Sequence, residues 1–418
     1  MKVLWFTNVP LPAVCKRVGL RLDGMSGHWM AALADQLACR DDIQLAVVTA
    51  FPDVPNETFD EGNVRYCLIG QPKRYPVFGM READLRKAAT IVENFRPDIV
   101  HVHGTERFYG LVKARGLCTV PEAVSLQGLL GPYSTYANFF GALSPTQVIA
   151  STRLMELPMR LGLLWGYWDM QRAAKREIEI LQHADAFLGR TRWDRAHAKV
   201  HGPTTPYYHV NEILRSEFAA TQWSPSSIDR HSIIYTNAGH PRRGTEVLLD
   251  AVRDLKSEFP DIRLRLAGTI SSRSGYGRFL TRRISRGNLY QHINMLGPLN
   301  SQQMAQELSR THVFCIASYI ENSPNSLAEA MMVGMPCVAS YVGGIPDMVD
   351  SEETGLLFPA GDAALLADSI RMIFRNDDLA RQLGSKARDV ALQRHNPETV
   401  LRQLLLAYQD ILKSSHPQ

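Results

Sequence analysis

A run of thirty residues, Ser318 to Asp347, constrains the fold of this chain more than any other part of its sequence. Two glutamates in this run, Glu321 and Glu329, stand eight positions apart. Between them, Ser323 suits an N-cap and Pro324 suits the first helical position, so a helix should begin here with its first amides unpaired. Such a helix start attracts a diphosphate. Because carboxylates accept hydrogen bonds from paired hydroxyls, as in sugars and riboses, the run predicts a phosphate and sugar site.

Apolar strands flank this helix in the sequence. Val313–Ala317 predicts a buried parallel strand that enters the run, and Cys337–Ser340 predicts the next strand. Gly334 and Pro336 end the helix between them after about three turns. The rest of the chain alternates in the same way, which predicts stacked βα units and parallel sheets. The other predicted strands are Lys2–Thr7, Leu45–Thr49, Arg65–Ile69, Asp98–His103, Ala184–Leu188, Ser232–Asn237, Arg263–Ala267 and Ile293–Leu296.

The length of the chain, 418 residues, predicts two domains that are each large enough for a core. Thr204 to Ser227 contains prolines, serines and polar residues without helical periodicity, which predicts a linker. We therefore expect an N-terminal domain over residues 1–213 and a C-terminal domain over residues 228–396. A final helix is predicted over Pro397–Leu412.

The order of these features resembles the donor-binding half of retaining GT-B glycosyltransferases of glycosyltransferase family 4, the group 1 type. Their E-x7-E signature falls on Glu321 and Glu329, and the following EAM…G.P…S…GG.P run matches Glu329 to Pro346. The resemblance implies an α/β fold of two facing Rossmann-like parallel-sheet domains with a cleft between them, the first completed by a C-terminal helix at 397–413. It implies transfer of a sugar, of the hexosyl type, from a nucleotide-diphosphate sugar to a glycan, a lipid-linked glycan or another hydroxyl acceptor. It further implies a role in the synthesis of cell-surface polysaccharide or glycoconjugate.

The resemblance also assigns roles within the second domain. Glu329 would bind the ribose hydroxyls and Glu321 the sugar. The turn around Gly297, after the strand Ile293–Leu296, would recognise the base. The helix start would bind the diphosphate through Ser323, Pro324, Asn325, Ser326 and Leu327.

Two arginines precede a predicted helix at Thr245–Ser257. Each of them, Arg242 and Arg243, could donate two hydrogen bonds to phosphate oxygens and so stabilise a nucleoside diphosphate leaving group. The family pattern here resembles R-x5-K-G, with Arg243 in the place of the lysine and Asn237 in the place of the arginine. Either Arg242 or His240 could compensate for the arginine that is absent at position 237. A second basic cluster is predicted to form the solvated face of a helix: Arg278, Arg282, Arg283 and Arg286.

In the first domain, two strand ends carry candidate residues. The loop after the first strand contains Gly24, Gly27 and His28, and only Gly27 matches the Gly-Gly that the family often has there. Its backbone could approach a phosphate. His101 and His103 face the same side of a strand, and the sequence favours His101 as a core residue. The resemblance implies that His103, at the strand end, is an active-site histidine that contacts the transferred sugar.

Charge and composition limit the partners. A formal charge of +4 permits anionic donors and anionic lipid, and no nucleic-acid motif is present. The six scattered cysteines show no CxxC pair or metal spacing, so we expect reduced thiols in a cytoplasmic protein. The N-terminus predicts a first strand and not a signal peptide, and no apolar run is long enough to cross a bilayer. Leu154 to Met170, with Trp165 and Trp168, predicts either a helix on an anionic membrane surface or a bent core helix.

Other classes lack their motifs in this sequence. The first strand is not followed by G-x-G-x-x-G, and neither a P-loop nor a G-x-S-x-G elbow is present. The remaining alternatives are a GT-B nucleotide-sugar epimerase, a glycosyl phosphorylase and a non-catalytic sugar-nucleotide-binding protein. We expect no cofactor and no metal, since no carboxylate cluster stands at a strand end. The first domain shows no obvious carboxylate nucleophile, which fits the front-face mechanism that the resemblance implies.

Overall fold

The computed structural model describes residues 1–20, 27–73, 75–76, 78–152, 162–271 and 274–415. The chain divides into two compact units. The first comprises Met1–Pro132, Asp169–Leu214 and the chain from His395 on, and the second comprises Tyr133–Trp168 and Arg215–Arg394.

The first unit is built on an eight-stranded sheet. Its strands are β1 (Lys2–Thr7), β2 (Gln44–Pro52), β3 (Glu57–Glu61), β4 (Val64–Gln71), β5 (Ile99–His103), β6 (Glu122–Ser125), β7 (Ala186–Gly189) and β8 (Tyr207–His209). The spatial order is β3-β4-β2-β1-β5-β6-β7-β8, and all neighbours are parallel except the antiparallel pair β3 and β4. Because β1 and β5 are paired with Thr7 opposite His103, the carboxyl ends of both strands meet at one edge of the sheet.

Both faces of this sheet are covered by apolar side chains, as expected of a parallel sheet. Trp5 faces one core and Phe6 the other, because successive strand residues point to opposite faces. The last helix contributes Leu404 and Tyr408 to the core that contains Trp5, and the Trp5 indole donates to the Tyr408 hydroxyl at 2.9 Å. The final helix is therefore part of the first unit.

The second unit is built on a six-stranded, fully parallel sheet. Its strands are β9 (Asp229–Thr236), β10 (Arg263–Ala267), β11 (Ile293–Gly297), β12 (Thr311–Ile316), β13 (Cys337–Ser340) and β14 (Leu356–Phe358), in the spatial order β11-β10-β9-β12-β13-β14. The prediction of an α/β fold with two Rossmann-like parallel-sheet domains is confirmed.

The α-helices complete the layers on these sheets. They are α1 (Pro12–Val18), α2 (His28–Ala38), α3 (Glu82–Phe95), α4 (Leu111–Ala114), α5 (Leu130–Tyr133), α6 (Tyr136–Phe140), α7 (Pro145–Ser151), α8 (Gly162–His183), α9 (Arg192–His201), α10 (Ser216–Ala220), α11 (Thr245–Leu255), α12 (Gly275–Arg286), α13 (Ser301–Arg310), α14 (Asn325–Val333), α15 (Ala363–Arg375), α16 (Asp377–Arg394) and α17 (Pro397–Ser415). Short 3₁₀ turns occur at Pro241–Arg243, Tyr290–His292 and Ile345–Asp347.

Two predicted segments differ in the structure. The predicted linker at 204–227 contains β8 and α10, and the Trp223 indole is buried where it donates to the Thr311 carbonyl at 2.7 Å. Residues 133–168, predicted as part of the first domain, group with the second unit because α6 packs on the turn Pro241–Arg243 and α7 packs on α12. Among the helices that the structure describes, none is long and apolar enough to cross a membrane.

Candidate functional site

Helix α14 begins one residue later than predicted. Pro324, with φ −71° and ψ 117°, is the N-cap, and its carbonyl accepts from the amides of Leu327 at 3.1 Å and Ala328 at 3.2 Å. Proline has no N–H, and the Leu327 amide already donates to Pro324. Of the amide donors predicted from Pro324 to Leu327, this leaves those of Asn325 and Ser326, which have no acceptor one turn earlier in the helix. Ser323, predicted as the N-cap, instead donates its hydroxyl to the Met348 sulfur at 3.6 Å.

Glu321 lies in the loop between β12 and α14. Its carboxylate accepts from the Ser318 hydroxyl at 2.9 Å and forms a close ion pair with Arg243. Gly343 approaches the backbone of this residue so closely that a Cβ would lie 1.8 Å from the Glu321 carbonyl oxygen. Glu321 is buried, at 6% exposure, and Arg243 and Ser318 replace the water that its carboxylate would otherwise need.

Glu329 lies in the second turn of α14 and is also buried, at 8% exposure. Its carboxylate pairs with Arg215 at 2.7 Å. Arg215 is the N-cap residue of α10, and its guanidinium stands over the Phe218 ring at 4.9 Å from the centroid. No local sequence pattern singles out Arg215, because it lies in the segment predicted to be a linker.

Arg243 reaches Glu321 from a tight turn after β9. The turn ends at Gly244, whose φ of 67° is left-handed and whose Cβ would lie 2.0 Å from the Ala317 carbonyl oxygen, so only glycine fits. Burial lowers the pKa of Arg243, but the charge of Glu321, the neighbouring Tyr235 and Tyr133, and the hydrogen bond to Glu321 together outweigh burial, so the pKa is raised. Arg243 is thus a fixed cation beside a fixed carboxylate.

Arg242 lies on the same turn, and its guanidinium stacks on the Tyr133 ring at 5.1 Å from the centroid. No sequence pattern singles out Tyr133. Burial and the charge of Arg243 lower the pKa of Arg242. His240 accepts from the Arg242 amide at 3.1 Å, and burial together with the two arginines lowers its pKa to about 3. Because His240 is neutral at pH 7, only Arg242 can supply the second positive charge of this turn. Asn237 is exposed in a left-handed conformation with φ 59°.

Gly297 ends β11 with φ 71°, and its carbonyl accepts from the Gly268 amide at 2.8 Å. A Cβ there would meet no atom within 4 Å, so the turn borders open space. Gly297 is the last residue of β11, and Arg243 and Glu321 follow β9 and β12, so all three lie at the carboxyl ends of parallel strands, where ligands of α/β sheets bind. The structure therefore places the predicted donor-site residues of the second unit along one edge of its sheet.

In the first unit, His103 is the last residue of β5 and is buried. Its ring stacks on the His101 ring at 3.8 Å and meets Trp5 at 4.4 Å between centroids. His101 has partners on both nitrogens, the Tyr408 hydroxyl at 2.6 Å and the Ser125 hydroxyl at 2.7 Å, as a core histidine should. In contrast, Nε2 of His103 is buried without a hydrogen-bond partner among the described residues.

Burial and the charge of Arg190 lower the pKa of His103 to about 3, so the imidazole is neutral at pH 7. Arg190 forms a close buried ion pair with Glu212, and both residues line a cavity of about 30 Å³ with His103 and Asn211. Arg190, Asn211 and Glu212 were not predicted, because they are far from His103 in the sequence.

Two further polar residues, Asn8 and Glu106, lie at the same edge of the first sheet, after β1 and β5. Glu106 accepts a close hydrogen bond from Asn8, and burial raises the pKa of Glu106 to about 7. Gly27 is the N-cap of α2 with φ 126°, where a Cβ would lie 2.7 Å from a Val9 methyl. Gly24, also predicted in this loop, lies outside the described residues.

Over the ranges that the structure covers, no group of three or more His, Cys, Asp or Glu side chains could hold a metal ion.

Comparison with known proteins points to one superfamily. Residues 223–390 match the family model of glycosyl transferases group 1. The chain is 31% identical to a phosphatidyl-myo-inositol mannosyltransferase of Mycobacterium leprae (strain TN) over 42% of this chain and 45% of that protein. It is 29% identical to the N-acetyl-alpha-D-glucosaminyl L-malate synthase of Bacillus anthracis over 30% of this chain and 33% of that protein. The aligned part thus spans less than half the length of these relatives, and the matches support the group 1 superfamily.

Solved structures match the whole chain. Sucrose-phosphate synthase from Thermosynechococcus elongatus has a TM-score of 0.73 at 18% identity and covers 99% of both chains. Anabaena HepE in complex with UDP-glucose has a TM-score of 0.69 at 16% identity, covering 98% of this chain and 100% of the other. At these identities the likeness shows the fold, which is that of GT-B glycosyltransferases.

Proposed function

We propose that this protein is a retaining, metal-independent glycosyltransferase of family 4 that moves a hexosyl group from a nucleotide-diphosphate sugar to a hydroxyl acceptor. The observation that carries the proposal is the pairing of Arg243 with Glu321 beside the start of α14. It sets a cation, a carboxylate and two helix amides at the edge of the sheet where nucleotides bind. The structural likeness to HepE, which was solved with UDP-glucose, adds support.

In the proposed complex, the diphosphate binds the amides of Asn325 and Ser326 and the guanidinium of Arg243, with Arg242 as a second cation. These groups are held in place before the donor arrives, so they stabilise the charge of the departing diphosphate without reorganising. Glu321 accepts from a sugar hydroxyl, and the guanidinium of Arg243 holds that carboxylate in place.

The remaining contacts are proposed in the same way. Glu329 accepts from the ribose hydroxyls while Arg215 holds its carboxylate, and the turn at Gly297 contacts the base. From the first unit, the neutral imidazole of His103 contacts the transferred sugar and the backbone of Gly27 contacts a phosphate. With retention, the leaving phosphate assists deprotonation of the acceptor on the same face of the sugar.

Turnover of the donor with and without an acceptor tests the proposal against its alternatives. A transferase forms product that depends on the acceptor, and the sugar keeps its anomeric configuration, which NMR of the product reveals. An epimerase converts the donor alone, a phosphorylase needs inorganic phosphate, and a binding protein turns over nothing. We expect EDTA to leave the rate unchanged, and activity that EDTA abolishes and magnesium or manganese restores would contradict the metal-independent mechanism.

We further propose that the acceptor is a glycan or lipid-linked glycan used in cell-surface polysaccharide or glycoconjugate synthesis, met by a cytoplasmic enzyme at an anionic membrane. In α8, Trp168 is 43% exposed and lies edge-on to Trp165 at 6.1 Å between centroids. Residues 154–161 of the predicted membrane segment lie outside the described part. Changing both tryptophans to serine should release the protein from anionic liposomes without lowering its Tm, and unchanged sedimentation would contradict the membrane contact.

A further inference from the structure

The second basic cluster borders a pocket and is not simply a solvated face. A pocket of about 340 Å³ in the second unit has arginines from α11 and α12 in its wall. These arginines are Arg253, Arg278, Arg282, Arg283 and Arg286. The opposite wall comes from α7, and none of the lining residues belongs to the candidate donor site.

The pocket is lined in part by a close contact between α7 and α12. Gly275, the first residue of α12, packs so near α7 that a Cβ would lie 1.7 Å from the Ser151 carbonyl oxygen. The Arg278 guanidinium also donates to this oxygen at 3.4 Å. The two helices therefore pack directly against each other and line one concave surface that contains these arginines.

The positive charge of this surface is only partly balanced. Asp250 accepts from Arg253 at 2.9 Å and from Nε of Arg283 at 3.1 Å, so one carboxylate serves two arginines. Arg282 and Arg286 are exposed and form no ion pair with an acidic side chain within the described ranges. A concave surface with excess charge of one sign concentrates ions of the opposite sign.

Three of the arginines form a stripe along α12. Arg278, Arg282 and Arg286 are four residues apart, so they lie on one face of the helix over a length of about 12 Å. Like charges at this spacing destabilise a helix, and a bound anion removes that repulsion. One guanidinium group can donate two hydrogen bonds to the oxygens of a phosphate group.

We propose that this pocket binds the phosphate groups of a small phosphorylated ligand, at a second anion site distinct from the donor site. The same chemistry is presented by a soluble phosphate ester and by the headgroup of an anionic lipid. The proposal does not rest on the proposed glycosyl transfer.

Calorimetric titration with pyrophosphate tests this site in the full chain. The double variant Arg282→Ala/Arg286→Ala should bind one pyrophosphate fewer per chain than the wild type, or bind it at least about tenfold more weakly. The control is Arg375→Ala/Arg381→Ala, which removes the same charge from exposed positions on α15 and α16 and should bind as the wild type does. If pyrophosphate does not bind the donor site, the pocket is its one site in the wild type, and the double variant should lose all pyrophosphate binding. Equal number and affinity in the double variant and the control would overturn the proposal.

Vesicles distinguish the two sources of phosphate. If the ligand is a lipid headgroup, phosphatidylcholine vesicles containing phosphatidylglycerol should sediment the wild type and the control but not the double variant, and pyrophosphate should compete. If the ligand is soluble, sedimentation should be the same for all three proteins while the calorimetric difference remains. Binding of pyrophosphate that does not depend on Arg282 and Arg286 overturns the proposal whatever the vesicles show.

Discussion

At the candidate donor site, two buried glutamates are each held by one arginine, Glu321 by Arg243 and Glu329 by Arg215. Removing one partner of a buried ion pair leaves the other charge buried without compensation, which costs more than the pair itself contributes. The glutamates and Arg243 could be predicted, because they lie in motifs with characteristic spacing. Arg215 could not, because it meets Glu329 only through the packing of α10 on α14.

We predict that Arg215→Ala lowers the free energy of unfolding by about 1–3 kcal/mol, less than for a fully buried pair because Arg215 is partly exposed. Arg215→Lys should recover part of this loss by restoring the charge. Arg230→Ala is the matched control, since Arg230 pairs with Asp377 at the surface, and it should cost at most about 1 kcal/mol. Urea unfolding of the three variants measures the differences, and equal stabilities for Arg215→Ala and Arg230→Ala would contradict the account.

His103 gives a second prediction, on pH dependence. Its folded-state pKa is about 3, whereas an unfolded histidine titrates near 6.5, so the unfolded state binds more protons between these values. Stability from this residue is therefore complete above about pH 6.5 and is lost as the pH falls towards 3. His103→Gln should reduce the slope of unfolding free energy against pH in this window by up to about 1.4 kcal/mol per unit. An unchanged slope in His103→Gln would refute the neutral buried state.

At the scale of elements, the start of α14 shows what local pattern can and cannot predict. Serine and proline correctly indicated a helix start, but packing of Ser323 against Met348 moves the N-cap to Pro324. The strand β8 and the helix α10 were missed because they are short and lie in a polar stretch, where tertiary contacts and not periodicity fix them.

The amides of α14 give the third prediction. Proline is favoured at the first position of a helix, and Pro324 already has the extended backbone that precedes a proline, so Asn325→Pro should fold normally. It removes one amide donor, so its affinity for a nucleoside diphosphate should fall by about tenfold or more. Asn325→Ala keeps the amide and should bind as the wild type does. Equal binding by both variants in calorimetry would exclude that amide from the phosphate site.

At the scale of the whole molecule, the alternation of strands and helices was enough to predict two parallel sheets, because each βα unit leaves a local pattern. The placement of residues 133–168 was not predictable, since α6 and α7 return to the second unit through contacts with residues more than 100 positions away. The stacking of Arg242 on the Tyr133 ring is one contact that results from this placement. The units are therefore not two continuous halves of the sequence.

We propose above that Arg243 and the start of α14 bind the diphosphate of a nucleotide sugar. Calorimetric titration of the wild type and of Arg243→Ala with UDP, GDP and ADP tests it most directly, with circular dichroism to show that the variant is folded. We expect one of the three nucleotides to bind the wild type and to bind Arg243→Ala about tenfold to a hundredfold more weakly, as for loss of a charged hydrogen bond. Unchanged affinity in a folded Arg243→Ala, or no binding of any of the three to the wild type, would contradict the claim.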